Sequence, residues 1–337
     1  MEIENFIPFY GQHCETTTVG NLLLHCGITL SEPMLFGLGE GLSFIYWDSK
    51  QMGFPFLGGR CKQDTLTEKL VNNLNLNIEV CQSTSKAKAW ENVTSKIDVG
   101  IPVGLKLDCY YLDYFTNKVH FAGHYVTIYG YDDAFAYLVD TNQQGSNVRT
   151  SLLSLSDARS AKGPMSSANR SFTITGTKTI DLKDSIVLAI YNNAKEYLNP
   201  PIQNISHKGI RKTAKMIGSW FERPGMTPEL ITLAGTLMEK GGTGGGLFRN
   251  MYRDFLKECD ELYPDLELNN SYKRFCTIAQ MWTDVSNMIC IAGETKDEKK
   301  LKDTSHILLE IASMEEEAMT QIFENITVHL HGIKVKI

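Results

Sequence analysis

The sequence lacks several features that would assign it to a common class. It has no apolar run able to cross a bilayer: IVLAI at 186–190 is five residues long, where about twenty are needed. It opens on MEIENF, acidic and with no apolar core behind, so no secretory signal is expected. There is no surplus of positive charge: 33 Lys and Arg against 39 Asp and Glu give a net charge of −6. That argues against nucleic acid or an anionic membrane as a partner. No C-x-x-C pair and no Cys/His group at zinc spacing is present, so no metal is expected. Neither a P-loop nor a dinucleotide-binding fingerprint occurs, so no bound cofactor is expected. No internal repeat is evident. The expectation is a cytoplasmic protein with reduced cysteines.

What is present is enough material for two domains: 337 residues, 42% of them hydrophobic. Up to about residue 198, short stretches of both periods alternate. A helix is predicted from Cys14 to Cys26, with Val19, Leu22, Leu23 and Cys26 on one face and Gly27 as its stop. A glycine-rich apolar loop is expected over 31–47, then a helix at 64–74 and a strand at 76–81. Further on, helices are expected at 85–98 and 151–162, and strands at 101–107, 172–175 and 185–191. HYVTIYGYDD and FAYLVD, at 124–140, form a predicted hairpin. NPPIQN at 199–204 marks a linker, and beyond it the pattern is helical. There Thr227 is an N-cap, Pro228 sits at the first helical position, and Leu230, Leu233, Leu237 and Met238 share a face. The reading is an α+β domain over 1–198, a helical domain over 205–326, and a tail at 327–337 that alternates like a strand.

The cysteines at 26, 276 and 290 have apolar neighbours and read as core residues. Cys14 does not: it stands in GQHCETTT, at a predicted helix start. A helix N-terminus favours a thiolate, and a nearby imidazolium favours it further. The hairpin offers that imidazole. If strands 124–130 and 134–140 are joined by a three-residue loop centred on Asp132, His124 lies opposite Asp140 on one face. The carboxylate would then fix the tautomer and stabilise the charged ring. Cysteine nucleophile, histidine base and aspartate make a full set for covalent catalysis.

HCETTTVGNLLLHCG followed by LSEPMLFGLGEGLSFIYW is similar to the amino-terminal domain of the butirosin biosynthesis protein H family. GHYVTIYGYDD with LVDT fits that domain and papain-like peptidases more widely, and GGGLFRNMYRDFL resembles the helical domain that often follows. The resemblance implies a papain-like cysteine fold with an added helical domain. It implies Cys14 as nucleophile, His124 as base and Asp140 as orienter. It also implies acyl transfer from a carrier-protein phosphopantetheine thioester to an amine, forming an amide in specialised metabolism. A related role is that of the cysteine-protease-like enzyme of closthioamide assembly, which joins acyl units through a diamine. The partners implied are an acyl or peptidyl carrier protein and a small amine. Papain-like enzymes take an oxyanion glutamine several residues before the cysteine, whereas Gln12 is two before it. The Cys14 backbone N–H is the better donor, with Gln12 and His13 as supporting residues.

Two further stretches admit two readings each. In FGLGEGLSF and the residues after it, Phe36, Phe44, Tyr46 and Trp47 suit the wall of an acyl pocket, or simply anchor a connection. In KGGTGGGLFRNMY, a helix starting near Leu247 with Arg249 close by suits a phosphopantetheine phosphate, or the glycines are a flexible link. His25 and His120 have no partner that the sequence identifies. Hydrolysis of an amide or thioester by the same triad is the competing function. A binding protein on a dead papain scaffold is disfavoured by the presence of all three residue types.

Overall fold

The computed structural model describes residues 1–49, 53–163, 165–176 and 180–330. The elements are, in chain order, α1 (Cys14–His25), α2 (Glu32–Leu38), β1 (Leu42–Trp47), β2 (Phe56–Arg60), α3 (Thr65–Asn73), β3 (Asn77–Cys81) and α4 (Lys86–Ile97). β4 (Val103–Leu107), β5 (His124–Tyr131), β6 (Phe135–Val139), β7 (Asn147–Ser151), α5 (Leu152–Ser160) and β8 (Ser171–Thr175) follow. The rest is helical: α6 (Leu182–Leu198), α7 (Ser206–Ile217), α8 (Pro228–Lys240), α9 (Arg249–Leu262), α10 (Asn269–Thr295) and α11 (Glu298–Thr327). The molecule is α+β with an added helical region.

Two compact units result: Met1–Leu35 with Gln63–Ile180, and Phe36–Lys62 with Asp181–Ile337. The division therefore falls at Ile180 rather than at the expected linker, and the segment 36–62 joins the second unit. Of the tail expected as a strand, Thr327 ends α11 and 328–330 form a 3-10 turn, while 331–337 lie outside the described residues.

The first unit is built on a six-stranded sheet in the order β3-β8-β4-β5-β6-β7, antiparallel throughout. α1 lies against β5, where the Thr127 hydroxyl donates to the Thr18 carbonyl at 3.4 Å. α4 and α5 pack around a core that includes Val93, Ile97, Leu105, Val126, Ile128, Leu138 and Leu155. A helix carrying the cysteine at its N-terminus, laid on an antiparallel sheet carrying the histidine, is the papain-like arrangement.

In the second unit β1 and β2 form a two-stranded antiparallel sheet. The 31–47 stretch was expected as a loop; it holds α2 and β1, because an evenly apolar, glycine-rich segment shows no period to read. SIVLAIY, expected as a strand, lies inside α6. Periodicity cannot separate a short apolar run from a buried helix, and here Asp181 caps the helix by accepting the Asp184 N–H at 3.1 Å. In α8 Thr227 is the N-cap as expected, but the buried face is Ile231, Ala234, Gly235 and Met238, with Leu233 and Leu237 exposed.

A buried ion pair organises this unit. Arg249 donates to both carboxylate oxygens of Glu315, at 2.8 and 2.9 Å, and neither side chain is exposed. The Trp282 indole N–H donates to the same carboxylate at 2.6 Å, as does the Tyr197 hydroxyl. The remaining Arg249 nitrogen donates to the carbonyls of Gly59 and Leu247. Phe44 stacks on Trp282 and Phe36 on Phe248, each at 5.5 Å, which with the Gly59 bond holds 36–62 to the helices. Removing one member of a buried pair leaves the other charge without compensation, at a cost of about 3–5 kcal/mol. Glu315→Gln is therefore expected to lower the urea midpoint of the transition reported by tryptophan fluorescence. An unchanged midpoint would show that the pair contributes nothing to stability.

Candidate active site

The structure brings Cys14, His124 and Asp140 together within the first unit. Cys14 is the first residue of α1 and is half-buried. His13 is the N-cap; its Nδ1 accepts the Thr16 N–H at 3.5 Å. His124 opens β5 and Asp140 follows β6 directly. His124 Nε2 donates to Asp140 Oδ2 at 2.8 Å, and the Cys14 thiol lies close enough to the ring to act on its charge. With Nε2 given to the carboxylate, Nδ1 is the nitrogen left to serve the sulfur.

The hairpin reaches this geometry by a register other than the expected one. Thr127 pairs with Val139 and Ile128 with Leu138, so the extended ladder sets Asp140 opposite Val126 rather than His124. The turn differs because Asp132 Oδ1 accepts the N–H groups of both Ala134 and Phe135, which moves the pairing by three residues. An irregularity between Ile128 and Gly130 returns one. The net slip of two preserves which side chains share a face, so His124 and Asp140 meet diagonally instead of directly.

Asp140 is 1% exposed and fully engaged. Oδ2 also accepts the Tyr114 hydroxyl at 2.7 Å, and Oδ1 accepts the Thr141 N–H at 2.6 Å. The Phe115 ring meets His124 edge-on at 5.3 Å. Burial alone would lower the His124 pKa. The charge of Asp140 and its hydrogen bond, with the contribution of Cys14, overcome this and hold the imidazolium well above the usual histidine range. A second thiol, Cys109, lies within electrostatic reach of the same three residues, and burial pushes it up to about 11.

The polar run around Cys14 is buried, not open. Thr16, Thr17 and Thr18 are each at most 1% exposed. Thr16 and Thr17 hydroxyls donate to the His13 carbonyl, at 3.0 and 2.7 Å. Glu15 accepts from both the N–H and hydroxyl of Thr67. Glu32 accepts the N–H groups of Gln12 and His13 and the Thr16 hydroxyl, at 2.8–2.9 Å. Burial raises the Glu32 pKa against these bonds. The Gln12 side chain is exposed, and what holds this residue is its backbone. The Cys14 N–H meets no acceptor among the described residues, so it is free to donate to an oxyanion. Neither Tyr114 nor Glu32 carried a signal in the sequence; both act across loops.

The remaining predicted residues belong to the second unit. Phe44 and Tyr46 are core side chains, 0% and 2% exposed, whereas Trp47 is 44% exposed. Arg249 does stand at the start of a helix after the glycines. Its guanidinium, however, is enclosed by Glu315 and two carbonyls with no exposure to solvent, which removes it as a phosphopantetheine ligand. Among the described residues no group of three His, Cys, Asp or Glu is placed to hold a metal ion, and no helix is long and apolar enough to cross a membrane.

Asp140→Asn removes the charge that holds the His124 proton. Since the folded-state value is raised above the ordinary 6.5, protonated His124 contributes stability below that pH and loses it as pH rises through the raised value. The variant is expected to bring the alkaline limb of Cys14 acylation down toward the ordinary histidine range. Its rate at pH 7 should fall roughly 10²–10⁴-fold. An unmoved limb in a pH–rate profile would detach Asp140 from His124.

Residues 13–141 match the model of butirosin biosynthesis protein H, N-terminal. Residues 153–322 match a domain of unknown function, DUF4872. A comparison with curated proteins finds no match. Among solved structures, the chain is similar to a protein from Bacillus anthracis described as a C39-like peptidase. The identity is 17% and the TM-score 0.37, over 53% of this chain and 98% of that one. The second model spans half of the chain, so the protein belongs to the DUF4872 family, its helical part preceded by a domain that matches the butirosin biosynthesis protein H, N-terminal, model.

Proposed function

We propose that the protein is a cysteine-dependent acyltransferase of specialised metabolite biosynthesis, forming an amide from a carrier-bound thioester and an amine. The observation that carries the enzymatic reading is the line Cys14–His124–Asp140: the thiol stands at a helix start and acts on the imidazole, which is hydrogen-bonded to a buried carboxylate. The name of the amino-terminal domain's model, which places it in antibiotic assembly, supports transfer over digestion.

In the first step the Cys14 thiolate attacks the thioester carbonyl while the Cys14 N–H receives the oxyanion. The new C–S bond forms, the bond to the phosphopantetheine sulfur breaks, and His124 protonates the departing thiolate. His124 is then neutral and serves as base. An amine attacks the acyl-enzyme, C–N forms, the C–S bond to Cys14 breaks, and a proton passes to His124, restoring the starting pair. A thioester is already activated, so the sequence of steps consumes no nucleotide. An acyl carrier protein and a small amine are the partners this chemistry requires, and phosphopantetheine enters as part of the donor.

Intact-mass spectrometry after incubation with small acyl-pantetheine thioesters tests the proposal. An acyl adduct is expected on the wild type and none on Cys14→Ala, and added amine should convert the adduct to amide. Full turnover by Cys14→Ala would defeat the covalent reading. Free acid as the sole product, whatever amine is supplied, would make the enzyme a hydrolase.

A further inference from the structure

The loop from Asp108 to Gly123 begins and ends at the catalytic histidine, because Leu107 of β4 pairs with His124 of β5. From this loop Tyr114 reaches Asp140 and Phe115 reaches the His124 ring. The same loop carries a second histidine–carboxylate pair. Asp108 is 4% exposed, and its Oδ1 accepts the N–H groups of Tyr110 and Phe121 at 3.1 and 2.9 Å. Its Oδ2 lies 2.9 Å from Nδ1 of His120. A carboxylate only accepts, so Nδ1 carries the hydrogen and the neutral ring presents the Nε2 lone pair. The His120 side chain is 63% exposed, yet it is held in place. It stacks on Tyr110 at 3.9 Å and 15°, and meets Tyr111 edge-on at 5.9 Å. Surface pairs of this kind contribute little to stability. A fixed tautomer beside two half-exposed aromatic rings has the form of a binding and proton-accepting site for a cation.

We propose that His120 is the acceptor-side base: it takes the first proton from the incoming amine, with Tyr110 and Tyr111 offering their ring faces to the ammonium. This rests on the acyl-transfer reading above. An alkylamine is an ammonium ion at neutral pH and cannot attack in that form. It must lose two protons to become an amide nitrogen, and His124 accepts one. In the balanced sequence R–NH3⁺ passes a proton to Nε2 of His120, while Asp108 Oδ2 keeps the hydrogen bond from Nδ1. The freed lone pair forms C–N, the C–S bond to Cys14 breaks, and the second proton goes to His124. His120 then releases its proton to water. The titratable groups facing His120 are Asp108, Tyr110 and Tyr111. Lys118 of the same loop is turned to the Leu112 carbonyl, and Cys109 donates to the Val119 carbonyl.

The test separates the two half-reactions in wild type and His120→Gln. Cys14 is first acylated with a small acyl-pantetheine thioester and followed by mass, then mixed with an alkylamine or with methoxyamine, which is uncharged at pH 7. The variant should acylate at the wild-type rate, which also reports that it is folded. Its alkylamine step at pH 7 should slow about 10²-fold and recover as rising pH frees the amine. Its methoxyamine step should be unchanged. Equal alkylamine rates in both proteins, or an equal loss with methoxyamine, would overturn the proposal. An absent acyl adduct on the wild type would overturn the transfer reading and this proposal with it.

Discussion

The site depends on one buried carboxylate. Asp140 holds His124 by Nε2, accepts Tyr114 and Thr141, and has almost no exposure to water. A bare carboxylate there would be costly. Three donors surround it instead, and its charge acts on an imidazole that burial would otherwise discharge. The hydrogen bond also decides which nitrogen faces the sulfur, so orientation and charge come from a single contact. The rest of the unit keeps that contact in place: β5 and β6 supply the two ends, and the 108–123 loop closes over them. The Asn142 N–H, bonded at 2.9 Å to the Gly11 carbonyl, ties the Asp140 end to the segment leading into Cys14.

The same economy holds at the nucleophile. A helix start leaves N–H groups without partners, and in GQHCETTT side chains take several of those around it. Glu32 takes those of Gln12 and His13, and His13 takes that of Thr16, which leaves the Cys14 N–H for the substrate. Thr16 and Thr17, which make the stretch look solvent-facing, turn their hydroxyls back onto the His13 carbonyl, so the first turn is fixed by buried polar contacts. That rigidity is what an oxyanion donor needs.

How much of this the sequence discloses follows from the range of each interaction. Cys14 was legible because a helix start and its odd neighbours are local. His124 and Asp140 were legible because strand alternation is local, and an error of two in the register left the parity intact. Tyr114 and Glu32 were not, since each reaches its partner through a loop with no periodic signal. Arg249 was misread for the same reason: beside a glycine run it has the form of a phosphate ligand, while its partner Glu315 stands 66 residues away. The 36–62 segment is evenly apolar, and its association with the helices is carried by single contacts such as Phe44 on Trp282. SIVLAIY fits either period, and only its cap at Asp181 points to a helix.

Two thiols share the field of one histidine, and the structure distinguishes them by environment rather than by distance. Cys109 is 7% exposed, and its hydrogen bond to the Val119 carbonyl uses the thiol as a donor, a role only the protonated form can play. Burial raises it to about 11 although the His124 charge acts to lower it. Cys14 has what Cys109 lacks: partial access to solvent and the N-terminus of a twelve-residue helix beside the imidazole. Both the helix terminus and the imidazolium favour the anion. A thiol that serves a substrate must also be reached by it, and of these two the residue at the mouth of α1 is the more accessible.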